Sequence, residues 1–421
     1  MNSLLHQKLN KTIPIVSETL LELKTTEKVK KPRLQFIDMA RSFAILLMLE
    51  GHFTGAALAN QYRNEDYILY NIWHNLHGLT SPLFFTVTGL VFVYLLTGTN
   101  SVEPFFQNSR VKKGFNRVSM LLFWGYIIQL SLWSIIKSIY YGTPLHLDWF
   151  AAFHVLQSIA FGIAFLLLIY GIHLFAKKGD ILWYYLIAAL LIFIGYSQMK
   201  AYIQADELRI AGTALKANYW PNGFPSFIQN LFYGKYSDFS FMRYAGYVLL
   251  GGMTGRIIRK YEHLTKKNWF GITFILIAIF LNVFIQSILV QVDSFTEMIG
   301  LCQKGVYELN STAFMRFGQV IGLLGILMLI DGNFKVKAPL FLKLGQNTLP
   351  IYVIHVIILY GGIFGIGLKP DVINLNLSPY ESIGVSVIAM LSFTIMVKYI
   401  EPLEEVYNSV QKKMFFWRKK N

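Results

Sequence analysis

Cysteine is all but missing from this chain. Cys302 is the single one, so no internal disulfide can form. Charge is scarce too: Asp, Glu, Lys and Arg make up 14% of residues, where soluble domains carry about 25%. No block of sequence is polar enough to stand as a separate soluble domain. Residues 1–31 lack the apolar core of a secretory signal. Walker loops, Gly-rich dinucleotide turns and GxSxG are absent, which excludes nucleotide-fold and serine-hydrolase readings. HExxH and CxxC are absent as well. His74-x-x-His77 alone falls short of the three or four ligands that zinc requires, so no metal site is expected. No internal repeat is visible, which weakens a transporter fold.

What is present is apolar length. Hydrophobic residues make up 54% of the chain and the mean hydropathy is +0.46. Runs long enough to span about 30 Å of hydrocarbon fall at 36–58, 79–98, 118–137, 151–175, 181–199, 241–258, 269–290, 314–331, 347–366 and 381–398. They predict an all-α, polytopic integral membrane protein of about ten transmembrane helices. Three parts are expected: a basic arm at 1–32, a membrane domain at 33–398 and a basic tail at 399–421. Part of the arm, 17–29, suits an amphipathic helix lying on the membrane.

The net charge of +15 follows the same pattern. With the N-terminus inside, alternate connections hold Arg110, Lys112, Lys113 and Arg117, then Lys177 and Lys178, then Arg256, Arg259, Lys260, Lys266 and Lys267, then Lys335, Lys337 and Lys343. The short outer connections hold only Arg63, Lys304 and Lys369. Positive charge gathers on the cytoplasmic side of a membrane, so both termini are expected there. Anionic lipid, not nucleic acid, is the partner this charge implies. The long outer segment 200–240 is dense in aromatic residues between Tyr219 and Phe241. It suits an interfacial aromatic belt or a lid over an external cavity.

The first span, RLQFIDMARSFAILLMLEGH, is the anomaly, because it carries two arginines, an aspartate, a glutamate and a histidine. Such groups in hydrocarbon usually face a protein interior or a water-filled cavity. Arg41 and His52 are eleven residues apart, which returns to nearly the same helix face about 16 Å further along. Asp38 lies one turn before Arg41 and pairs with it on that face, whereas Glu50 lies about half a turn away. Arg33 and Arg41 stand where this helix meets the cytoplasm. They suit a phosphate-bearing ligand or a lipid headgroup. A snorkelling arginine with a buried, satisfied histidine is the other reading of the stripe.

Histidines sit where membranes disfavour them. His52 is in the first span, and His74 and His77 precede the second and share a face on an ideal helix. His154 opens the fourth span with Gln157 one turn on, and His355 lies in the ninth. A pocket near the outer surface that gathers several of these imidazoles would hold a general base, the usual task of neutral histidine.

These residues resemble a known group. R-x4-D-x2-R-x10-H, from Arg33 through Asp38 and Arg41 to His52, is similar to the opening of the transmembrane acyltransferase superfamily. That superfamily includes the acyltransferase 3 family and the heparan-α-glucosaminide N-acetyltransferase family with its bacterial relatives. HGLTSPLFFTVTGLVF and HVLQSIAFG resemble motifs of the second family, and LGQNTLPIYVIH resembles a run found across the superfamily. The resemblance implies a membrane enzyme that takes an acetyl or other acyl group from cytoplasmic acyl-CoA and delivers it to a sugar hydroxyl or amine outside.

In this resemblance His52 matches the first-helix histidine of the acyltransferase 3 proteins. The histidine of the lysosomal N-acetyltransferase falls near Trp73 and His74, so His74 and His77 are candidates alongside His52. Ser42 stands where the family favours glycine. Arg33, Asp38 and Arg41 are expected at the donor entrance, and His154, Gln157, Tyr352 and His355 around the pocket. Direct transfer and an acyl-histidine intermediate are both open to imidazole. No bound cofactor is expected, only acyl-CoA as co-substrate. A carbohydrate or glycolipid acceptor, membrane lipid and a second copy in a homodimer are the partners expected, in a bacterial cytoplasmic membrane. The alternative is a transporter or flippase for an envelope carbohydrate, with the polar stripe as a proton relay.

Overall fold

The computed structural model describes residues 34–98, 103–144, 148–203, 207–210, 213–216, 218–301 and 305–418, with only the course of the helix given beyond 400. The basic arm, Arg33 and Cys302 lie outside the described residues. Everything below concerns the unit Gln35–Asn421.

The polar first span becomes the middle of the bundle. Helix α1 is Gln35–Ala57, followed by the short α2, Ile68–His77, and by α3, Thr80–Leu96. Helix α4, Ser109–Ile127, continues after a 42° bend into α5, Leu132–Tyr141. Then come α6, Val155–Ala176, and α7, Ile181–Tyr202. A two-stranded antiparallel ribbon, β1 Glu207–Ile210 and β2 Thr213–Lys216, interrupts an otherwise helical chain. After it run α8, Ser226–Phe232, α9, Phe241–Lys260, α10, Asn268–Met298, and α11, Ser311–Asn333. Helix α12, Pro339–Gln346, meets α13, Thr348–Tyr360, at an 80° bend. The one-turn α14, Leu368–Asp371, leads to the long α15, Pro379–Arg418.

Local chemistry sets several of these ends. Asn108 caps α4 by accepting the Arg110 N–H at 2.8 Å, and Asp180 caps α7 by accepting the Leu182 N–H at 3.1 Å. Gly361 ends α13 in the left-handed conformation at φ 86°, which a side chain would disfavour.

Helix α1 packs against α3, α11, α12, α13 and α15. That central place explains how it tolerates Asp38, Ser42 and Thr54, all buried. Helix α9 lies on α3 with almost no separation: a Cβ added at Gly251 or Gly255 would overlap the carbonyl oxygens of Thr86 and Leu90. Small residues spaced four apart are how membrane helices approach closely. By contrast α10 has only 11% of its apolar window covered, as expected of a helix facing lipid.

Six helices, or up to eight if each bent pair is one span, are long and apolar enough to cross a membrane. Eight of the ten expected runs fall on one helix each; 118–137 covers the bent pair α4 and α5, and 347–366 runs past the end of α13. Helices α1 and α9 do not pass on apolarity, because α1 carries Asp38, Arg41 and Glu50 and α9 carries three arginines and four glycines. The connections alternate between the two ends of the bundle. Arg259 reaches the Gly98 carbonyl, Arg256 pairs with Asp180, and Gly332 lies against Lys266 at the end marked by Arg41. At the opposite end Ala59 bonds Leu377, Leu132 bonds Ile363, and Phe153 bonds Tyr236.

The aromatic segment is a folded loop at that second end. Trp220 and Tyr233 exchange backbone hydrogen bonds of 2.8 and 3.3 Å. Buried Asn230 ties the loop down, donating to the Ala151 carbonyl at 3.0 Å and accepting the Tyr236 N–H at 3.0 Å.

Candidate active site

Two polar regions lie at the two ends of α1. At the basic end, Arg41 sits 3.6 Å from the Asp38 carboxylate, and Gln346 donates to the other carboxylate oxygen at 3.2 Å. Ser42 accepts the Gly345 N–H at 2.9 Å and donates to the Phe341 carbonyl. This serine therefore stitches α1 to α12 where the family favours glycine. The break between α12 and α13 falls here, at Asn347. Backbone of this kind is tolerated at membrane depth when it lines a cavity.

A cavity of about 470 Å³ does open there. Arg41, Arg110, Lys113 and Arg117 bring four cations to its wall, and Gln346 and Thr348 bring the edge of the break. A second, much smaller cavity of about 20 Å³ shares Arg41, Arg117 and Thr348 with it and is lined also by Ala44 and Phe84. The start of α13 faces the same space, and a helix N-terminus attracts anions.

At the other end, about 16 Å along α1, His52 meets three aromatic groups from distant parts of the chain. Its Nδ1 is 3.0 Å from the Tyr360 hydroxyl. Its ring centre lies 5.2 Å from that of His355 and 6.4 Å from that of His77. Tyr352 stands edge-on to His355 at 5.0 Å. His355 is fully buried and neither of its ring nitrogens makes a hydrogen bond of normal geometry. Buried polar groups normally have partners; the groups nearest to this imidazole are the His52 and Tyr352 rings and the backbone of Ile351 and Tyr352. His52 keeps part of its surface accessible and Tyr360 keeps 39%, so the cluster is open at these two residues and closed at His355.

Helix α2 brings His77 to this cluster and turns His74 away. The ring of Trp73 stacks on His77, and the ring of Tyr70 stacks on His74, each one turn apart. These are two neighbouring rows, and only the first faces α1. Gly51 makes room for it, since a Cβ there would overlap the His77 ring. His74 is half-exposed, 3.7 Å from Glu65. The expectation that both histidines share one face fails because 60° of rotation separates them, enough to put one inside and one out.

Glu50 and Tyr360 belong to this end although neither was expected in the site. Glu50 accepts the Trp73 indole N–H at 2.7 Å and the Thr54 hydroxyl at 3.0 Å. It lies off the Arg41–His52 row, as its helix position predicts, and fixes the ring that backs His77. Tyr360 is separated from His52 by 308 residues, so no local pattern reveals the pair.

His154 caps the start of α6. Gln157 is fully buried against Gly125, with both amide atoms unpartnered. Neither shares a ring contact or hydrogen bond with the His52 cluster among the described residues. No group of three metal-ligand side chains occurs among the described residues.

Residues 34–397 match a family model described as an acyltransferase domain, of the acyltransferase 3 type. No curated protein matches the chain.

Proposed function

Because the chain belongs to the acyltransferase 3 family of membrane acyltransferases, we propose that it takes an acyl group, chiefly acetyl, from acyl-CoA at its basic end and passes it to a carbohydrate hydroxyl or amine at its histidine end. The observation that carries this reading is the shared helix. One α-helix holds Arg41 at a four-cation cavity and His52 among His77, His355 and Tyr360. The cations suit the phosphates of CoA. The pantetheine arm is the part of the donor that bridges from one end to the other.

The positively charged connections put the basic end in the cytoplasm and the histidine end outside. On this reading both termini lie inside, the chain crosses ten times and the membrane is a bacterial cytoplasmic one. Arg33 belongs to the donor entrance by its place in the motif.

The transfer proceeds as follows. With its Nδ1 proton donated to the Tyr360 oxygen, His52 offers the Nε2 lone pair as general base. His52 takes the proton of the acceptor hydroxyl as the hydroxyl oxygen attacks the thioester carbonyl. The C–S bond breaks, and the CoA thiolate recovers the proton from the imidazolium. His77 and His355 lie beside His52 and His74 does not, which favours His77, the more accessible of the two, as the second acid–base group.

The test is thermal. A ligand bound only by the folded protein stabilises it by about 2.7 kcal/mol at a hundredfold excess over its Kd. CoA should raise the melting point of the purified protein, and Arg117→Gln should weaken that shift. No shift at millimolar CoA would refute the donor assignment.

A further inference from the structure

Two cations stand beside the histidine cluster for which the transfer step has no use. Lys369, on α14, holds its ammonium 5.4 Å from the centre of the Tyr360 ring, the same tyrosine whose hydroxyl meets His52. Arg63, in the turn after α1, donates Nε to the Leu58 carbonyl at 3.1 Å and Nη2 to the carbonyls of Gly55 and Leu58 at 2.6 and 2.9 Å. These bonds satisfy the open end of α1, but leave Nη1 without a hydrogen bond. Among the described residues, no carboxylate lies within ion-pair distance of either cation; nearby Glu65 lies instead beside His74.

Burial, and after it the charge of Arg63, push the Lys369 ammonium below the usual lysine range. A ring face offers Lys369 a partial partner, and capping gives Arg63 a structural task. Neither supplies the negative charge that two half-buried like charges call for. The position of that missing charge is bounded on one side by Tyr360, which keeps 39% of its surface accessible between Lys369 and His52.

We propose that Lys369 and Arg63 form a subsite for an anionic group on the acyl acceptor, a carboxylate or phosphate of a charged saccharide. The acceptor's nucleophile then reaches past Tyr360 to His52. This rests on the acyltransfer reading given above. It narrows the acceptor from carbohydrates in general to those bearing negative charge close to the hydroxyl or amine that is acylated.

The experiment uses the full-length protein in phosphatidylcholine nanodiscs. Glucuronate and glucose 1-phosphate are the charged probes, and methyl glucoside is the neutral one. Binding is read as a melting-point shift without acetyl-CoA, then as acetyl transfer with it. The charged sugars should stabilise the protein and methyl glucoside should not. Lys369→Gln should weaken charged-sugar binding at least tenfold, with Lys369→Arg restoring most of it. The ratio of kcat/KM for charged over neutral acceptor should fall by a similar factor in Lys369→Gln.

Equal shifts from charged and neutral sugars, or a charged-sugar shift untouched by Lys369→Gln, overturn the subsite. So does a shift that vanishes when phosphatidylglycerol is added, because a lipid headgroup then fills the place. Acetylation of neutral sugars as efficient as that of charged ones sinks the subsite and leaves the acyltransfer reading intact. Charged-sugar binding lost in Lys369→Gln, with no acetylation of any acceptor, does the reverse.

Discussion

Tyr360→Phe isolates one hydrogen bond. The substitution keeps the ring that faces Lys369 and Tyr360's place at the end of α13, and removes only the hydroxyl 3.0 Å from His52 Nδ1. A neutral hydrogen bond of this kind is worth about 0.5–1.5 kcal/mol net, which converts to about a 2- to 13-fold fall in kcat if the bond holds the imidazole in its working tautomer. Loss of the base itself should be far larger, about 10²–10⁴-fold. The assay is steady-state transfer of labelled acetyl from acetyl-CoA, with the KM for acetyl-CoA measured alongside. That KM should not move, because the four cations of the donor cavity lie at the opposite end of α1. The coupling is checked by placing Tyr360→Phe on a His52→Ala background, where it should cost nothing further. Full activity of Tyr360→Phe, or the same proportional loss with and without His52, would refute the role given to this hydroxyl.

Two further outcomes test the scaffold. Gly251→Val should lower the melting point, at a cost of about 1–3 kcal/mol from overpacking, because its Cβ meets the Thr86 backbone. Gly384→Ala, where an added Cβ meets nothing within 4 Å, should not lower it. At the basic end, burial alone would raise the Asp180 carboxyl, but hydrogen bonds from Arg256 and the Leu182 N–H, with the charges of Arg256 and Lys260, hold it below the usual carboxylate range. A depressed folded value gives stability that is present above about pH 4 and is lost as pH falls through the folded value. Asp180→Asn should therefore have a lower melting point at neutral pH and a flatter acid dependence below pH ~4, read by thermal melts across pH.

Much of the bundle was legible because its signals are local. The apolar runs and the alternating basic connections need only hydropathy and counting, and eight of the ten runs fall on one helix each. The eleven-residue interval from Arg41 to His52 is likewise a property of one helix, and it separates the two polar regions as the rise per residue requires. Helix breaks were not legible in the same way. The bend between α4 and α5 is held by Leu132 and Trp133 N–H groups bonding the carbonyls of Ile363 and Phe364, far along the chain. The run at 347–366 ends at Gly361 and begins at an 80° break, where the unwound residues line a cavity.

The imidazole cluster shows the same division. That His52 needed polar company followed from its cost in hydrocarbon. That His355 and Tyr360 would supply it depends on α13 packing beside α1, which no spacing within either helix encodes. The choice between His77 and His74 turned on 60° of rotation and on the room left by Gly51, finer than a shared-face rule resolves.

The most direct measurement compares wild type with His52→Ala, both as purified full-length protein. Each is tested for stabilisation by CoA and for transfer of labelled acetyl from acetyl-CoA. Since His52 lies an α1 length away from the four-cation cavity, His52→Ala should keep the CoA-induced rise in melting point and lose at least about 100-fold in transfer. Undiminished transfer by His52→Ala would contradict the account.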